Sequence, residues 1–461
     1  MRATTLTNFA GLGLGDAQID NLTSLGYEEM TTIQAMVLPT ALLGKDVIAQ
    51  AKTGSGKTAT FALPLLAKLN PRHFGAQALV LCPTRELATQ VATEIRRLIR
   101  HQQNIKIVIL CGGQSIGPQI GSLEHGAHII VGTPGRIKDH LRKKTLNLGQ
   151  ISTLVLDEAD RMLDMGFFDD IESIIKETPK SRQTLLFSAT YPEHIETLSG
   201  RFQKDPEKIS APSLHEETQL QQLFYLTKRS RKLDSLQTLL GHYQPESAIV
   251  FCHTKDTTRE VSAHLNRNDI PALALNGDLE QRDRDQVLIQ FRQQSSRILV
   301  ATDVAARGLD INDLPAVINY DLPKDPESYV HRIGRTGRAG KQGLAISLLA
   351  DRERHKLESI GNFQDREYDV TPIESLNNKS TMPTPDYVTL CISAGRKEKV
   401  RPGDILGALT GDAGIKGSAV GNITVSDYAA YVAVETTVAT EAIKQLAAGK
   451  IKGRKFKVRG L

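Results

Sequence analysis

The chain lacks tryptophan and any long hydrophobic run, and its few cysteines are scattered. Nothing in it approaches the roughly 20 consecutive apolar residues of a membrane-spanning helix, and the N-terminal MRATTLTNFAGLGLG has no apolar core of a secretory signal. No pair of cysteines has zinc-ligand spacing, so we expect buried free thiols at Cys82, Cys111, Cys252 and Cys391. These absences predict a cytoplasmic protein with no membrane association and no zinc site.

Charge is distributed unevenly along the chain. Residues 384–461 hold 12 Lys and Arg against 7 Asp and Glu, which leaves 45 of each sign elsewhere from totals of 57 and 52. The net charge of +5 therefore lies entirely in the C-terminal segment. A basic excess confined to one segment indicates a polyanionic partner for that segment.

Two regions of similar length repeat the same alternation of strands and helices. Runs rich in Val, Ile and Leu, such as LVLC, IVIL and TLVL in the first region and IVFC, ILVAT and AISLL in the second, are separated by amphipathic stretches. Such runs are typical of parallel sheets covered by helices on both faces. The sequence predicts one α/β domain over 1–210 and a second over 218–369, joined by the polar segment SAPSLHEETQ.

A smaller module follows a linker that we predict over 370–383, where Pro, Ser, Thr and Asn are frequent. The pattern of residues 384–461 reads strand, helix, strand, strand, helix, strand. That order predicts a small α+β domain with one sheet and two helices on one of its faces.

The first candidate site is a glycine-rich loop between a strand and a helix. DVIAQA leads into AKTGSGKT, and the helical TATFALPLLAKL follows. Glycines let backbone N–H groups face phosphates, and the helix adds the positive end of its dipole. Lys57 would contact the β and γ phosphates of ATP and Thr58 a Mg²⁺ ion; a glycine-rich turn with a chance lysine is the alternative. The predicted nucleotide loop consists of Ala51, Lys52, Thr53, Gly54, Ser55, Gly56, Lys57 and Thr58.

Carboxylates directly after a buried strand support a nucleotide site. ISTLVLDEAD places Asp157 and Glu158 at the carboxyl edge of the predicted sheet, where ligands bind in such folds. Asp157 can hold Mg²⁺, and Glu158 can orient and deprotonate the attacking water. Acidic residues in this position can otherwise serve as helix N-caps.

The string Asp-Glu-Ala-Asp at 157–160, with the motifs around it, resembles the DEAD-box RNA helicases over about residues 9–349. The resemblance implies two tandem RecA-like parallel-sheet domains, ATP and Mg²⁺ as cofactors, RNA as partner and RNA-dependent ATP hydrolysis. GYEEMTTIQ resembles the adenine-reading Q motif, with Gln34 reading the base and Phe9 stacking on it. Met30 and Thr32 stand where the family usually has prolines.

The same resemblance implies roles for further residues. Gly308 and Asp310 would contact the nucleotide, with Asp310 at the ribose. Asp160, Ser188, Thr190 and His331 would couple hydrolysis to unwinding. The RNA contacts of the two helicase domains would be Pro83, Arg85, Gly113, Thr133, Arg136, Thr254, Gln281, Arg284, Thr302 and Arg307.

Arg335 and Arg338 in HRIGRTGRAG resemble the arginine fingers of the family. On a helix, a spacing of three residues would let both guanidiniums point the same way, and their planar fork suits the γ-phosphate. A solvated basic face is the alternative. With these two, the predicted catalytic residues are Lys57, Asp157, Glu158, Arg335 and Arg338, divided between two domains that ATP and RNA would draw together.

The C-terminal module resembles an RNA-recognition motif (RRM), and a helicase core followed by one resembles the bacterial DbpA/YxiN group. That resemblance implies binding to a 23S rRNA hairpin and a role in the assembly of pre-50S particles. We expect the chain to act as a monomer. Only Tyr431 stands where such modules carry two or three stacking aromatics. We therefore assign RNA contacts to the basic residues Arg396, Lys397, Lys399, Arg401, Lys455, Lys457 and Arg459. For the last three, which would alternate along a strand, a solvated edge strand is the alternative.

Two other functions remain open at this point. One is a DNA helicase or translocase on the same tandem fold, and the other is a non-unwinding ATP-dependent RNA clamp or scaffold. Gln34 and the Asp-Glu-Ala-Asp string favour RNA, and the intact set Lys57, Glu158, Arg335 and Arg338 favours hydrolysis. The sequence therefore predicts an ATP-dependent RNA helicase that unwinds duplexes locally.

Overall fold

The computed structural model describes residues 8–51, 55–189, 193–210, 220–306, 311, 313–337, 342–376, 381–411 and 414–461. The described residues form two compact units, one up to residue 210 and one from residue 220 onward. All four cysteines are buried free thiols, as the sequence predicts. None of the helices in these ranges has the length and hydrophobicity needed to cross a bilayer.

The first unit is a parallel sheet covered by helices on both faces. Its strands are β1 (Val47–Gln50), β2 (Ala78–Leu81), β3 (Ile107–Leu110), β4 (Ile129–Gly132), β5 (Thr153–Leu156), β6 (Gln183–Ser188) and β7 (Glu207–Ser210). Its helices are α1 (Asp16–Ser24), α2 (Thr32–Leu42), α3 (Lys57–Ala67), α4 (Arg85–Leu98), α5 (Gly117–Leu123), α6 (Pro134–Arg142), α7 (Ala159–Asp164), α8 (Phe168–Lys176) and α9 (Glu193–Phe202). The strand order is β3-β4-β2-β5-β6-β1-β7.

Burial on both faces explains why these strands are continuous apolar runs. Ala78 and Val80 of β2 belong to one hydrophobic core, and Leu79 and Leu81 belong to the other. The edge strand β7 escapes this pattern because of its four residues only Ile209 is buried.

The second unit begins with another parallel sheet of the same kind. Its strands are β8 (Leu220–Leu226), β9 (Ala248–Cys252), β10 (Ala272–Leu275), β11 (Ile298–Thr302), β12 (Ala316–Asn319), β13 (Gly343–Leu349) and β14 (Val370–Pro372), in the order β10-β11-β9-β12-β13-β8-β14. Its helices are α10 (Lys232–Tyr243), α11 (Lys255–Arg267), α12 (Gln281–Arg292), α13 (Asp303–Ala306), α14 (Pro326–Ile333) and α15 (Arg354–Gln364). The two sheets confirm the predicted RecA-like pair of domains.

The segment predicted as the second linker packs on this domain over part of its length. Strand β14 lies beside β8, with Val370 opposite Phe224. Ile373 and Met382 are buried in the core of the same domain. This part of the segment therefore extends the second domain.

The small C-terminal domain has the predicted βαββαβ order. Its elements are β15 (Tyr387–Ile392), α16 (Pro402–Thr410), β16 (Val420–Val425), β17 (Ala430–Glu435), α17 (Ala439–Ala448) and β18 (Val458–Gly460). The antiparallel sheet has the order β16-β17-β15-β18. Leu390, Ile392 and Val432 pack with residues of both helices, such as Ile405 and Leu446, and form the core.

Candidate functional site

The described part of the nucleotide loop is held by the residue predicted to read adenine. Gln34 is buried at the start of α2, and its Nε2 donates to the Gly56 carbonyl over 3.2 Å. Thr31 donates its hydroxyl to the Ser55 carbonyl over 2.7 Å. Gly56 has φ +89°, and a Cβ atom there would lie 2.6 Å from Gln34 Nε2. The positive φ therefore favours glycine at this position, and a side chain there would displace the Gln34 amide.

Lys57 is the first residue of α3, and its ammonium is buried. Lys57 Nζ has no hydrogen-bond partner among the residues that the structure describes. Asp157 is also buried, and this burial raises the pKa of its carboxyl to about 6; the charge of Lys57 opposes the rise and that of Glu158 adds to it. A phosphate chain would balance the positive charge of the buried ammonium, and a hard cation would balance the negative charge of the buried carboxylates. This part of the site therefore fits a phosphate chain together with a hard cation.

Glu158 occupies a strained position directly after Asp157. Its φ of +49° is unusual for a residue with a side chain. Its N–H donates to Asp157 Oδ1 over 3.0 Å, and its Oε2 lies 3.1 Å from Arg161 Nη1 with both side chains buried. Sequence reasoning missed Arg161, whose only signal is its spacing of three from Glu158 at the start of a helix.

Asp160 links this turn to strand β6. Its Oδ2 accepts a hydrogen bond from the Ala189 N–H over 3.0 Å. Strand β1, which leads into the nucleotide loop, also contacts this strand end, since the Ala51 N–H donates to the Ser188 carbonyl over 3.0 Å. The structure thus brings Asp160, Ser188 and Ala51 at the start of the loop together, and their coupling role stays a prediction. Thr190, Lys52, Thr53 and Gly54 lie outside the described residues.

The residues predicted to bind RNA in the first domain form a second group. Gly113 has φ +70°, and a Cβ atom there would lie 2.5 Å from Arg85 Nη1, so the guanidinium lies directly over this glycine. Arg136 donates to the Gln114 carbonyl over 2.8 Å. Thr133 precedes α6, and Pro83 is buried just before α4.

The two groups occupy different halves of one sheet edge. The residues of the predicted nucleotide site follow the carboxyl ends of β1, β5 and β6. The predicted RNA contacts of this domain follow the carboxyl ends of β2, β3 and β4. Because the strand order is β3-β4-β2-β5-β6-β1-β7, each set of three strands is contiguous. The carboxyl edge therefore offers two neighbouring ligand regions, in keeping with the rule that ligands bind at this edge.

In the second domain, four predicted RNA contacts lie around three helices. Arg284 Nη2 donates to the Ala305 carbonyl over 2.6 Å, and the Ala305 N–H donates to Thr302 Oγ1 over 3.3 Å. Gln281, at the start of α12, donates to Asp285 over 2.6 Å. Thr254 caps α11. Arg307, Gly308 and Asp310 lie outside the described residues.

The helical spacing argued for the two arginine fingers is wrong. Helix α14 ends at Ile333, and Arg335 lies in the turn that follows, where it is buried. Gly334 ends the helix, and Thr336 then forms a bridge with Leu314. Arg335 consequently cannot share a helix face with Arg338, which lies outside the described residues. His331 is half-buried on α14.

Arg332 is a buried site neighbour that sequence reasoning missed. It forms a two-pronged ion pair with Asp303, with N–O distances of 2.6 and 2.7 Å. Its Nη1 donates to Asn319 Oδ1 and to the Asp321 carbonyl, and its guanidinium lies 5.0 Å from the centre of the Phe251 ring. Arg332 thereby fixes α14 to the ends of β9, β11 and β12. Its signal was its place beside His331.

Two basic loops of the C-terminal domain meet. Lys452 Nζ donates to the Lys399 carbonyl over 2.9 Å, so the loop after α17 contacts the loop before α16. Arg396 pairs with Asp427 at 3.1 Å, and the neighbouring Tyr428 is 71% exposed. We call the exposed residues Arg396, Lys397, Lys399, Arg401, Tyr428 and Lys452 the loop surface. Sequence reasoning missed Tyr428, although an aromatic residue in a polar turn is a signal for base stacking.

The predicted alternation in the last strand holds only at its end. Strand β18 begins at Val458, so Lys455 and Lys457 precede it and only Arg459 lies within it. A turn with Gly453 at φ +78°, closed by the bridge between Ile451 and Arg454, ends just before Lys455.

Comparison with known proteins agrees with this architecture. The DEAD/DEAH box helicase family matches residues 31–198, the helicase conserved C-terminal domain matches 231–340 and the DbpA RNA binding domain matches 389–460. The chain is 52% identical to the ATP-dependent RNA helicase DbpA of Escherichia coli over 98% of its length and 99% of that protein. It is 48% identical to the DEAD-box ATP-dependent RNA helicase CshA of Bacillus cereus, over 79% of this chain and 69% of CshA.

A solved structure shows the same likeness. The structure of S. cerevisiae Dbp5 bound to RNA and ADP BeF3 covers 80% of this chain and 96% of its own, with a TM-score of 0.72 and 32% identity. Two RecA-like domains with buried carboxylates on the first, together with these matches, define an ATP-dependent helicase. The chain belongs to the DEAD-box ATP-dependent RNA helicases and carries a DbpA-type RNA-binding domain.

Proposed function

We propose that the predicted nucleotide site of the first domain hydrolyses ATP with Mg²⁺ to drive local unwinding of ribosomal RNA duplexes. The observation that carries the proposal is the buried Lys57 ammonium, without a hydrogen-bond partner among the described residues, beside the buried Asp157 and Glu158. Lys57 would bind the β and γ phosphates, and Thr58 and Asp157 would hold Mg²⁺. The ion would neutralise the charge that develops on the phosphates.

Glu158 is the proposed base for the attacking water. Its unusual backbone conformation and its ion pair with Arg161 fix the carboxylate in one direction, which suits a reaction that depends mostly on positioning. Gln34 would recognise adenine while it holds Gly56. Phe9, which the sequence predicts to stack on the base, is 2% exposed and packs edge-on against Tyr27 in this structure. Arg335 and Arg338 of the second domain would complete the site when ATP and RNA are bound. The carboxylate of Asp160, through its hydrogen bond with the Ala189 N–H, would transmit changes at the nucleotide site to the end of strand β6.

For the substrate, we propose a hairpin of 23S rRNA in particles on the way to the 50S subunit. The support is the identity to DbpA over nearly the whole of both chains and the matched RNA-binding domain. The loop surface supplies cations for phosphates and Tyr428 for stacking on an unpaired base. Four buried thiols suit a reducing compartment, so we place this activity in the cytoplasm. We further propose that the chain acts as a monomer.

The test compares the full chain with its Glu158→Gln variant. Phosphate release and strand separation are measured with a duplex attached to a 23S rRNA hairpin and with the same duplex attached to an unrelated hairpin. The natural chain should respond to the 23S hairpin at lower RNA concentration. The variant should lose about 100-fold or more of its turnover while it still binds ATP and RNA, because only the proton-accepting group is removed.

The matched control is Glu124→Gln, the same change at an exposed residue of the first domain, which should behave like the natural chain. Normal turnover in Glu158→Gln would exclude its role as the base. An equal response to both hairpins would exclude the 23S preference. ATP-dependent RNA retention without strand separation would favour the clamp.

A further inference from the structure

The sheet of the C-terminal domain has a second covered face. Side chains alternate along its strands, so Leu390 and Ile392 point into the domain core while Cys391 points to the opposite side. On that opposite side, Cys391 and Tyr431 pack against Ile289 of α12 in the second helicase domain. Tyr431 is only 4% exposed as a result. The aromatic residue that an RRM would offer to a base is thus covered by protein.

Gln293, immediately after α12, bonds to the C-terminal domain through both the nitrogen and the oxygen of its side-chain amide. It is buried, and its Nε2 donates to the carbonyls of Asn422 over 3.0 Å and Tyr431 over 3.3 Å. Its Oε1 accepts from the Thr389 hydroxyl over 2.9 Å. An irregularity in β16 between Val420 and Ile423 takes Asn422 out of the strand register and leaves its carbonyl available.

Polar contacts surround the apolar centre of the interface. Ser295 and Thr389 share a hydrogen bond of 2.7 Å between their hydroxyls. Arg297 pairs with Asp386 at 3.1 Å. Such an apolar centre with a polar rim is the usual anatomy of a specific protein interface.

Helix α12 has a different contact on its other side. Gln286, Ile289 and Gln293 are three and four residues apart and so lie on one side of the helix, toward the C-terminal domain. Arg284 is about half a turn away from that row, and it donates to the Ala305 carbonyl, next to Thr302. One helix therefore lies between the C-terminal domain and predicted RNA contacts of the helicase core.

We propose that the sheet face with Thr389, Cys391 and Tyr431 is a docking face for α12 and does not stack bases, and that Gln293 is a positioning residue that locks it. The loop surface is then held at a fixed distance from Arg284 and Thr302. An RNA that binds the loop surface presents its attached duplex to the helicase core at a high local concentration. This functional consequence rests on the proposed function, whereas the docking does not.

The test uses the full chain with Gln293→Glu. This variant keeps the size of the side chain but turns an oxygen toward two carbonyl oxygens, so it should open the interface. Amide hydrogen exchange without RNA should then rise in Tyr387–Ile392 and Ala430–Glu435. The RNA concentration for half-maximal ATP hydrolysis should rise about tenfold or more for the hairpin-linked duplex. The maximal rate, and the response to a duplex without a hairpin, should stay within about twofold.

Gln294→Glu is the control, because it makes the same change one residue further on at an exposed position. Ile289→Asp attacks the same interface from its apolar centre and should reproduce the effects of Gln293→Glu. Unchanged exchange in both variants would overturn the locking role. Raised exchange with an unaltered half-maximal RNA concentration would overturn the positioning role. If the natural chain itself shows no preference for the hairpin, the proposed function fails, and the exchange result still decides on docking.

Discussion

At the scale of single residues, Asp157 carries a conflict between stability and function. Its raised pKa means that the folded, nucleotide-free chain binds this proton more tightly than the unfolded chain. The free energy of unfolding should therefore fall as the pH rises from about 4 through about 6, and the full loss persists above pH 6. The carboxylate that would hold Mg²⁺ thus destabilises the empty protein at neutral pH.

Asp157→Asn should remove this loss in the free energy of unfolding. We expect the free energy of unfolding at pH 8, without nucleotide, to rise by on the order of 2 kcal/mol. The gain should be smaller at pH 4.5, where the natural residue is already protonated. Denaturant unfolding at both pH values provides the measurement. Asp20→Asn, at an exposed helical position, is the control and should change stability little at either pH. A gain that does not depend on pH would contradict this account.

Motif residues such as Gln34, Lys57 and Asp157 could be singled out from the sequence because their chemistry requires one residue type at a set spacing. Arg161 and Arg332 carry only a weak signal, their positions relative to Glu158 and His331, because nothing in the letters separates a buried arginine from an exposed one. Tyr431 shows the same limit. Its position matched an RRM, yet it is covered by helix α12. Gln293, which follows that helix and bonds to the Tyr431 carbonyl, is 138 residues away in the sequence.

At the scale of elements, helix α14 depends on one arginine. Arg332→Lys retains the charge but cannot form both bonds to Asp303 and still reach Asn319 and the Asp321 carbonyl. We expect a loss of about 2 kcal/mol or more in the free energy of unfolding, because buried polar groups lose partners. Thermal unfolding measures this loss. Arg352→Lys, at an exposed position, should unfold like the natural chain. Equal unfolding temperatures for both variants would show that the contacts of Arg332 contribute nothing.

Element boundaries were harder to predict than element types. Interior strands such as β2, β5 and β9 could be predicted because they are apolar on both faces. The interior strand β8 could not, because only two of its seven residues are buried. Edge strands β7 and β14 were missed because few of their residues are buried. Helix α14 was extended too far, through Arg335, since Gly334 within HRIGRTGRAG was not read as the helix end that it forms. Strand β18 was predicted to start too early because Lys455 and Lys457 fit an alternation with Arg459, although they lie between the turn at Gly453 and the start of the strand at Val458.

At the scale of the whole molecule, the concentration of net positive charge in the C-terminal segment can be related to the structure of that domain. The net positive charge lies in the C-terminal domain, where α12 covers the sheet face with Cys391 and Tyr431 and several cations lie on loops. Cations that neutralise phosphates release counterions, and this makes RNA affinity fall with salt. The loop surface should therefore account for a measurable part of the salt dependence of the full chain.

The double variant Lys397→Gln/Lys399→Gln should bind the 23S hairpin more weakly at low salt and lower the steepness of the log–log salt plot by about 1 to 2. The matched control, Lys416→Gln/Lys444→Gln, removes the same charge from exposed lysines of the same domain outside the loop surface. If binding depended only on net charge, both pairs would flatten the plot equally. A selective effect of the first pair requires that phosphates lie against these loops. Because Lys397 and Lys399 are exposed, neither pair should alter thermal unfolding, which separates lost contacts from lost folding.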